Sequence, residues 1–253
     1  MQFEIIKGNI INAATDAIVL PANPTLQEGT GTSAAIFEAA GRKKLSMACK
    51  KVLKQCGGKC EVGSAIPTLA FGLEENNTKF IIHAIVPIWI DGDHQEYDNL
   101  CSAYLSSLKI AELMECTSIA FPLLASGNNG FDKELALEIA DRSFKDFEGN
   151  SIQKIVLVIY GDDTAAFVKE KGYEYSIEIP DFIAMEKKNL HQEQKAQARQ
   201  KSILFRQVKD TAQSIFEERL NSALEYIKDP ENQKALLAKA TILVNLAKAF
   251  LKK

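Results

Sequence analysis

No stretch of the 253-residue chain is apolar for long enough to cross a bilayer. The longest apolar run, residues 80–90, is interrupted by His83 and Pro87 and falls short of the roughly 20 residues that a spanning helix needs. The chain opens Met-Gln-Phe-Glu with neither a basic stretch nor an apolar core, so no secretory signal is visible; a cytoplasmic protein without a membrane partner is expected. Paired cysteine spacing is missing as well. The five cysteines (Cys49, Cys56, Cys60, Cys101 and Cys116) are odd in number and contain no C-x-x-C, and the three that lie closest together, Cys49, Cys56 and Cys60, have no histidine near them in sequence. Free thiols in a reducing compartment are therefore expected rather than a disulfide framework or a metal cluster, and no cofactor is called for.

Overall charge is close to balanced, and the net −3 neither requires nor forbids a polyanionic partner. A hydrophobic share of 46% and a charged share of 25% are ordinary for a globular chain, long enough here for one large domain or two smaller ones. The distribution of charge is more informative. Residues 1–180 carry 16 Lys+Arg against 24 Asp+Glu, net −8, whereas residues 181–253 carry 14 against 9, net +5. That change of sign places a domain boundary near residue 180.

Two stretches carry chemistry. In the first, Ala17, Ile18, Val19 and Leu20 read as a buried strand, ended by Pro21 and Pro24. Gly29 and Gly31, with Thr30, Thr32 and Ser33, then make a turn whose N–H groups can gather around phosphate oxygens, before a small-residue helix that stops at Gly41. The same pattern also connects strands to helices in folds that bind nothing there. In the second stretch, Ile119, Ala120 and Phe121 form a strand, and Ser126, Gly127, Asn128, Asn129 and Gly130 form a loop ahead of Phe131 and a helix over residues 133–147. Two such turns at the ends of neighbouring strands put donors on both sides of one groove. Asn128 and Asn129 also suit a tight turn simply because Asn tolerates positive φ.

Elsewhere, residues 2–6 read as a strand followed by a Gly8–Asn9–Ile10 turn, residues 42–54 as a polar helix broken by Gly57 and Gly58, and residues 80–89 as a strand enclosing His83. His83 is read as a buried, hydrogen-bonded structural histidine. The acidic stretch 91–98 with His94 has the residue types of a cation site, and a solvated loop is the expected state. Helical spacing runs over residues 100–114. Residues 154–160 form a buried strand ending in Tyr160, before Gly161 and an N-capped helix, and residues 173–179 offer a last short strand.

Together these segments resemble a macrodomain, the ADP-ribose-binding module. Val19-Leu20-Pro21-Ala22-Asn23 stands where that family has Val-Asn-Ala-Ala-Asn, and Gly29, Gly31 and the closing Ala39-Ala40-Gly41 follow in step. Cys60 to Ala65 is similar to the Cys-Pro-x-Gly-x-Ala turn, and Ser126 to Phe131 to Ser-Thr-Gly-x-Tyr-Gly-Phe. The resemblance covers roughly the first 175 residues. It implies a three-layer α/β/α fold with a mixed central sheet, and ADP-ribose or an ADP-ribosylated protein as partner. The ligand contacts it implies are Asn9, Ile10, Ala22, Asn23, Gly29, Thr30, Gly31, Thr32, Ser33, Ser126, Gly127, Asn128, Asn129, Gly130, Phe131 and Tyr160, the last stacking on adenine. Two departures bear on function. Asn9 replaces the family's adenine-binding Asp, and Asn129 replaces an aromatic residue near the distal ribose.

Hydrolytic members place an Asp at the position of Ser33, where it acts with the Asn that is Asn23 here. A serine hydroxyl is a poor general base without a proton acceptor, and Glu28 is the only carboxylate nearby in sequence. Catalysis, if present, falls to Asn23, Ser33 and Glu28, as an ADP-ribosyl hydrolase or O-acetyl-ADP-ribose deacetylase; binding with weak or absent hydrolysis is the expected behaviour. Residues 181–253 have no strand signal and two amphipathic stretches separated by Asp229 and Pro230, which predict an α-helical hairpin. It offers a surface for self-association or scaffolding. Nucleic acid is not expected there, because its charges alternate rather than cluster.

Overall fold

Apolar residues alternate sides along the central strands, and this sorts the core into two halves. In β2 (Ala17–Ala22), Val19 faces one cluster while Ile18 and Leu20 face the other. In β6 (Lys154–Ile159), Ile155, Leu157 and Ile159 share the side of Val19, and Val156 and Val158 the opposite side. Strands buried on both faces need helices on both. The computed structural model describes residues 1–177, and it supplies them. Helices α1 (Thr32–Ala40) and α2 (Arg42–Gln55) cover one face with Ile36, Phe37, Leu45 and Val52. Helices α3 (Glu96–Leu113), α4 (Lys133–Lys145) and α5 (Asp162–Glu170) cover the other with Leu100, Tyr104, Leu137, Phe144 and Val168.

The remaining strands are β1 (Gln2–Lys7), β3 (Ala65–Leu69), β4 (Phe80–Ile85), β5 (Ser118–Pro122) and β7 (Ser176–Ile177). The order across the seven-stranded sheet is β3-β4-β2-β5-β6-β1-β7. All pairs are parallel except β3 with β4, so the sheet is mixed and the three-layer expectation holds over the described residues. The predicted hairpin lies outside the described residues.

Several boundaries differ from the sequence reading. Pro21 does not end β2. It pairs with Ala84 of β4 at a point past the pairing with β5, where β2 has one neighbour and a missing N–H is tolerated. The strand expected over residues 80–89 stops at Ile85, four residues short of Trp89. Helix α3 begins at Glu96, before the predicted 100, because the Glu96 side chain gathers the preceding turn onto itself. Helix α5 has no side-chain cap: Gly161 is its N-cap, and Asp162 pairs instead with Lys7 of β1.

Asp16 ties the opposite end of the sheet together. It accepts from the N–H and hydroxyl of Thr117 (2.8 and 2.7 Å) and pairs with Lys79 at 2.6 Å, so one carboxylate joins the starts of β2, β4 and β5. Its pKa is lowered to about 2. Burial would raise it, and the bonds from Lys79 and Thr117 outweigh that. His83 is fully buried, 2.9 Å from the Thr68 hydroxyl and 4.0 Å from the Cys49 sulfur. Burial lowers its pKa to about 4 and keeps the ring neutral, as expected of a structural histidine.

Candidate ligand site at the carboxyl ends of the strands

Parallel strands deliver the loops that follow them to one edge of the sheet, where α/β folds form crevices. Here β2 and β5 are neighbours, and the loops after them touch: the Asn128 side chain donates to the Thr30 hydroxyl at 2.5 Å. That contact joins residues 98 positions apart and brings the two glycine-bearing turns together at this edge of the sheet.

The first loop is built so that its main chain stays open. Asn23 organises the start of it. Its Oδ1 accepts from Thr25 N (3.1 Å), the Thr25 hydroxyl (2.8 Å) and Gln27 N (3.1 Å), while Nδ2 donates to Gln27 O at 2.9 Å. Further along, Gly29 N donates to Ser33 Oγ at 3.0 Å, and Ser33 itself is buried. Glu28 accepts from Arg42 Nε at 2.9 Å, and Arg42 also reaches Glu38. Gly31 adopts φ 57°, ψ −123°, a conformation that clashes with its own backbone in any residue bearing a Cβ. It is also the N-cap of α1 and brings no side-chain cap, and the first turn of that helix carries no acid. Among the described residues, the N–H groups of Thr30, Gly31 and Thr32 have no protein acceptor. An uncapped helix start of this kind leaves donors and the positive end of the helix dipole for an anion.

The second loop is held from below. Ser126 Oγ donates to Leu123 O, Gly130 N to Gly127 O and Phe131 N to Ala125 O. The left-handed positions are Ala125 (φ 62°) and Gly130 (φ 78°), so positive φ does not account for the asparagines. Asn129 turns towards the 86–90 segment, donating to Pro87 O at 2.7 Å and accepting Trp89 N on its own carbonyl at 2.8 Å. The N–H groups of Gly127, Asn128 and Asn129 have no acceptor among the described residues.

Both loops thus carry N–H groups without an acceptor among the described residues. Of the three side chains proposed for catalysis, Asn23 is committed to its own turn, Ser33 to Gly29, and Glu28 to Arg42. The other predicted contacts fall at the same edge in different states. Asn9 caps a 3-10 helix (Ile10–Asn12) and accepts from Ile11 N at 3.3 Å. Ile10, Ala22 and Phe131 are buried, so their side chains serve packing. Tyr160, at the end of β6, is 78% exposed and presents its ring to solvent.

Trp89 escaped the sequence reading, hidden at the end of an apolar run taken for strand. Its ring meets Phe131 edge-on at 5.0 Å and 69°, and its N–H holds Asn129, so it is the seat of the second loop. The spacing of Pro87 and Gly92 on either side was the available signal, since both resist continuation of a strand. The neighbouring Asp91, His94 and Glu96 bring three ligand atoms within 4.8 Å of one another. Glu96, however, accepts from the N–H groups of Ile90, Asp91, Gly92 and His94 at 2.6–3.2 Å. Burial would raise its pKa and these donors outweigh it, holding it at about 2; the carboxylate is the anchor of its own turn. His94 is exposed and pairs with Asp91 at 2.8 Å.

Comparison with known proteins agrees with this geometry. The Macro domain family model matches residues 19–140. A macro domain-containing protein of Caldanaerobacter subterraneus is 39% identical over 174 residues, 68% of this chain and 96% of that protein. The chain belongs to the macrodomain family. A second relative of this macrodomain, the O-acetyl-ADP-ribose deacetylase of Klebsiella pneumoniae, is 39% identical over 171 residues, covering 67% of this chain and 95% of the relative. Among solved structures, an Oceanobacillus iheyensis macrodomain variant with ADPR superposes with a TM-score of 0.61 at 29% identity, covering 67% of this chain and 90% of that one.

Proposed function

We propose that this macrodomain binds ADP-ribose or a close derivative in the cleft between its two glycine-bearing loops, and that it hydrolyses the ligand weakly or not at all. The observation that carries the reading is the convergence of those loops through Asn128 and Thr30, with unaccepted N–H groups on both sides. A diphosphate supplies the acceptors that these groups lack, and two opposed rows of donors hold it without a lysine or arginine. Tyr160, exposed at the end of β6, offers a face on which adenine can stack, and Asn9 lies at the end of β1, two strands from β5. The ADPR-bound neighbour from Oceanobacillus iheyensis supports the choice of ligand.

Hydrolysis asks for a group free to take a proton from water. The Asn23 amide, the Ser33 hydroxyl and the Glu28 carboxylate are each engaged in holding the first loop. The second reading, an O-acetyl-ADP-ribose deacetylase or ADP-ribosyl-ester hydrolase, is favoured by the name of the Klebsiella relative. It requires water to be activated by the substrate or by a rearranged loop.

Calorimetric titration of the full chain with ADP-ribose tests the first reading. Saturable heat is expected, weakened by about tenfold or more, equivalent to 1.4 kcal/mol, in Gly31→Glu, which adds to the anion cradle both a carboxylate and the backbone strain of a side chain. Absence of heat at millimolar ligand rejects binding. Release of ADP-ribose from a Glu-modified protein at an enzymatic rate, lost in Asn23→Ala, replaces the binder with the hydrolase.

A further inference from the structure

Away from the cleft, α2 ends in a sharp reversal. Gly58 N donates to Leu53 O at 2.9 Å and Gly57 N to Lys54 O at 3.4 Å, the two bonds of a Schellman turn, with Gly57 at φ 74° and Gly58 at φ 92°. Cys56 is the last residue before the turn and Cys60 the first to pack again into the core. The reversal turns the chain back on itself between them, and the two thiols lie close enough to interact. Exposure is unequal: Cys56 is partly open to solvent, and Cys60 is buried. Nothing crowds the space where a Cβ would stand on Gly57 or Gly58, so the turn has room to adjust.

We infer that Cys56 and Cys60 form a peroxide-oxidisable pair, with Cys56 as the thiol first attacked and Cys60 as the resolving thiol. The chemistry balances in two steps. The Cys56 thiolate attacks one oxygen of hydrogen peroxide and breaks the O–O bond, giving Cys56 sulfenic acid and hydroxide, which takes up the proton lost by the thiol to become water. The Cys60 sulfur then attacks the sulfenic sulfur, forming the disulfide and releasing a second water; the two thiols lose two electrons and the peroxide gains them. A thiol that accepts a hydrogen bond from its neighbour has more thiolate character, and the Cys56 pKa is lowered by this bond against the opposing effect of burial. The turn that carries the pair is also tied to the first loop. Cys60 N donates to Pro24 O at 2.8 Å, one residue after Asn23, so the bridged turn and the first loop share a hydrogen bond.

Lys59 lies between the two cysteines, which makes the test direct. The full chain is treated with graded hydrogen peroxide, its remaining thiols are blocked, and it is cut by trypsin without reductant. The expected product is peptide 55–59 joined to peptide 60–79, lighter than their sum by two hydrogen atoms and separated by reductant. Cys56→Ser should abolish it, and Cys60→Ser should leave Cys56 trappable as sulfenic acid by dimedone. The proposal is overturned if peptide 60–79 is instead joined to the Cys49 peptide, or if Cys56 passes to sulfinic or sulfonic acid with the peptides still separate. Because the readout is a covalent link between peptides, it stands or falls independently of whether ADP-ribose binds.

Discussion

Replacing Gly31 by alanine separates backbone strain from steric blockage, because nothing lies within 4 Å of the position that a Cβ would occupy. The methyl group meets no neighbour, so the whole effect comes from the backbone, which sits at φ 57°, ψ −123°. Holding a non-glycine residue there costs about 1–3 kcal/mol. The loop can respond in two ways. If it keeps its shape, the protein loses that stability and the ligand is bound as before. If it relaxes, stability is largely spared, and binding must restore the strained shape and loses the same free energy. Few bonds hold this loop: Gly29 N to Ser33 Oγ, Ser33 N to Thr30 O and Ala35 N to Gly31 O at the helix start, and Asn128 to Thr30 across the two loops. Relaxation is therefore the expected response, and affinity for ADP-ribose should fall roughly 5- to 150-fold. The unfolding free energy should change by less than about 0.5 kcal/mol. Parallel calorimetry and urea unfolding of the two proteins measure both quantities. If affinity and stability are both unchanged, the conformation assigned to Gly31 is wrong, and so is the reason for a glycine at this position.

Two further outcomes follow from the frame around the cleft. Tyr104 is fully buried and its hydroxyl oxygen accepts Leu124 N at 2.9 Å, directly ahead of the second loop. Tyr104→Phe leaves that N–H buried and unpaired and should lower stability by about 1–3 kcal/mol; a urea midpoint equal to that of the parent refutes the role given to this bond. Asp16, whose pKa is depressed to about 2 from 3.8, contributes stability that is fully present above its unfolded value and is lost as pH falls through the folded one. The shift alone sets a ceiling of about 2.5 kcal/mol, and the exposure of Lys79 reduces it to about 1 kcal/mol. The stability gap between the parent and Asp16→Asn should stay constant from about pH 7 to 5 and close towards about pH 2; a gap that does not vary with pH contradicts this linkage.

By itself the sequence marked the two glycine-bearing turns and, through its likeness to the macrodomain family, the layered fold. The short apolar runs 17–20 and 154–159 fold as interior strands, and strands apolar on both sides need helices on both faces. Glycine at position 31 marked the turn because local backbone sterics act within one residue and need no partner. Only the tertiary structure decided what the polar side chains do. The family resemblance offered Asn23, Ser33 and Glu28 as the catalytic set, yet their partners are Gln27, Gly29 and Arg42, chosen by how the loop closes against α1 and α2. Trp89 gained its role from Phe131, and Asn128 from Thr30, across separations of 42 and 98 residues. A hydrogen bond forms with whichever group folding brings within reach, and that distance is a property of the assembled sheet, not of any segment read alone.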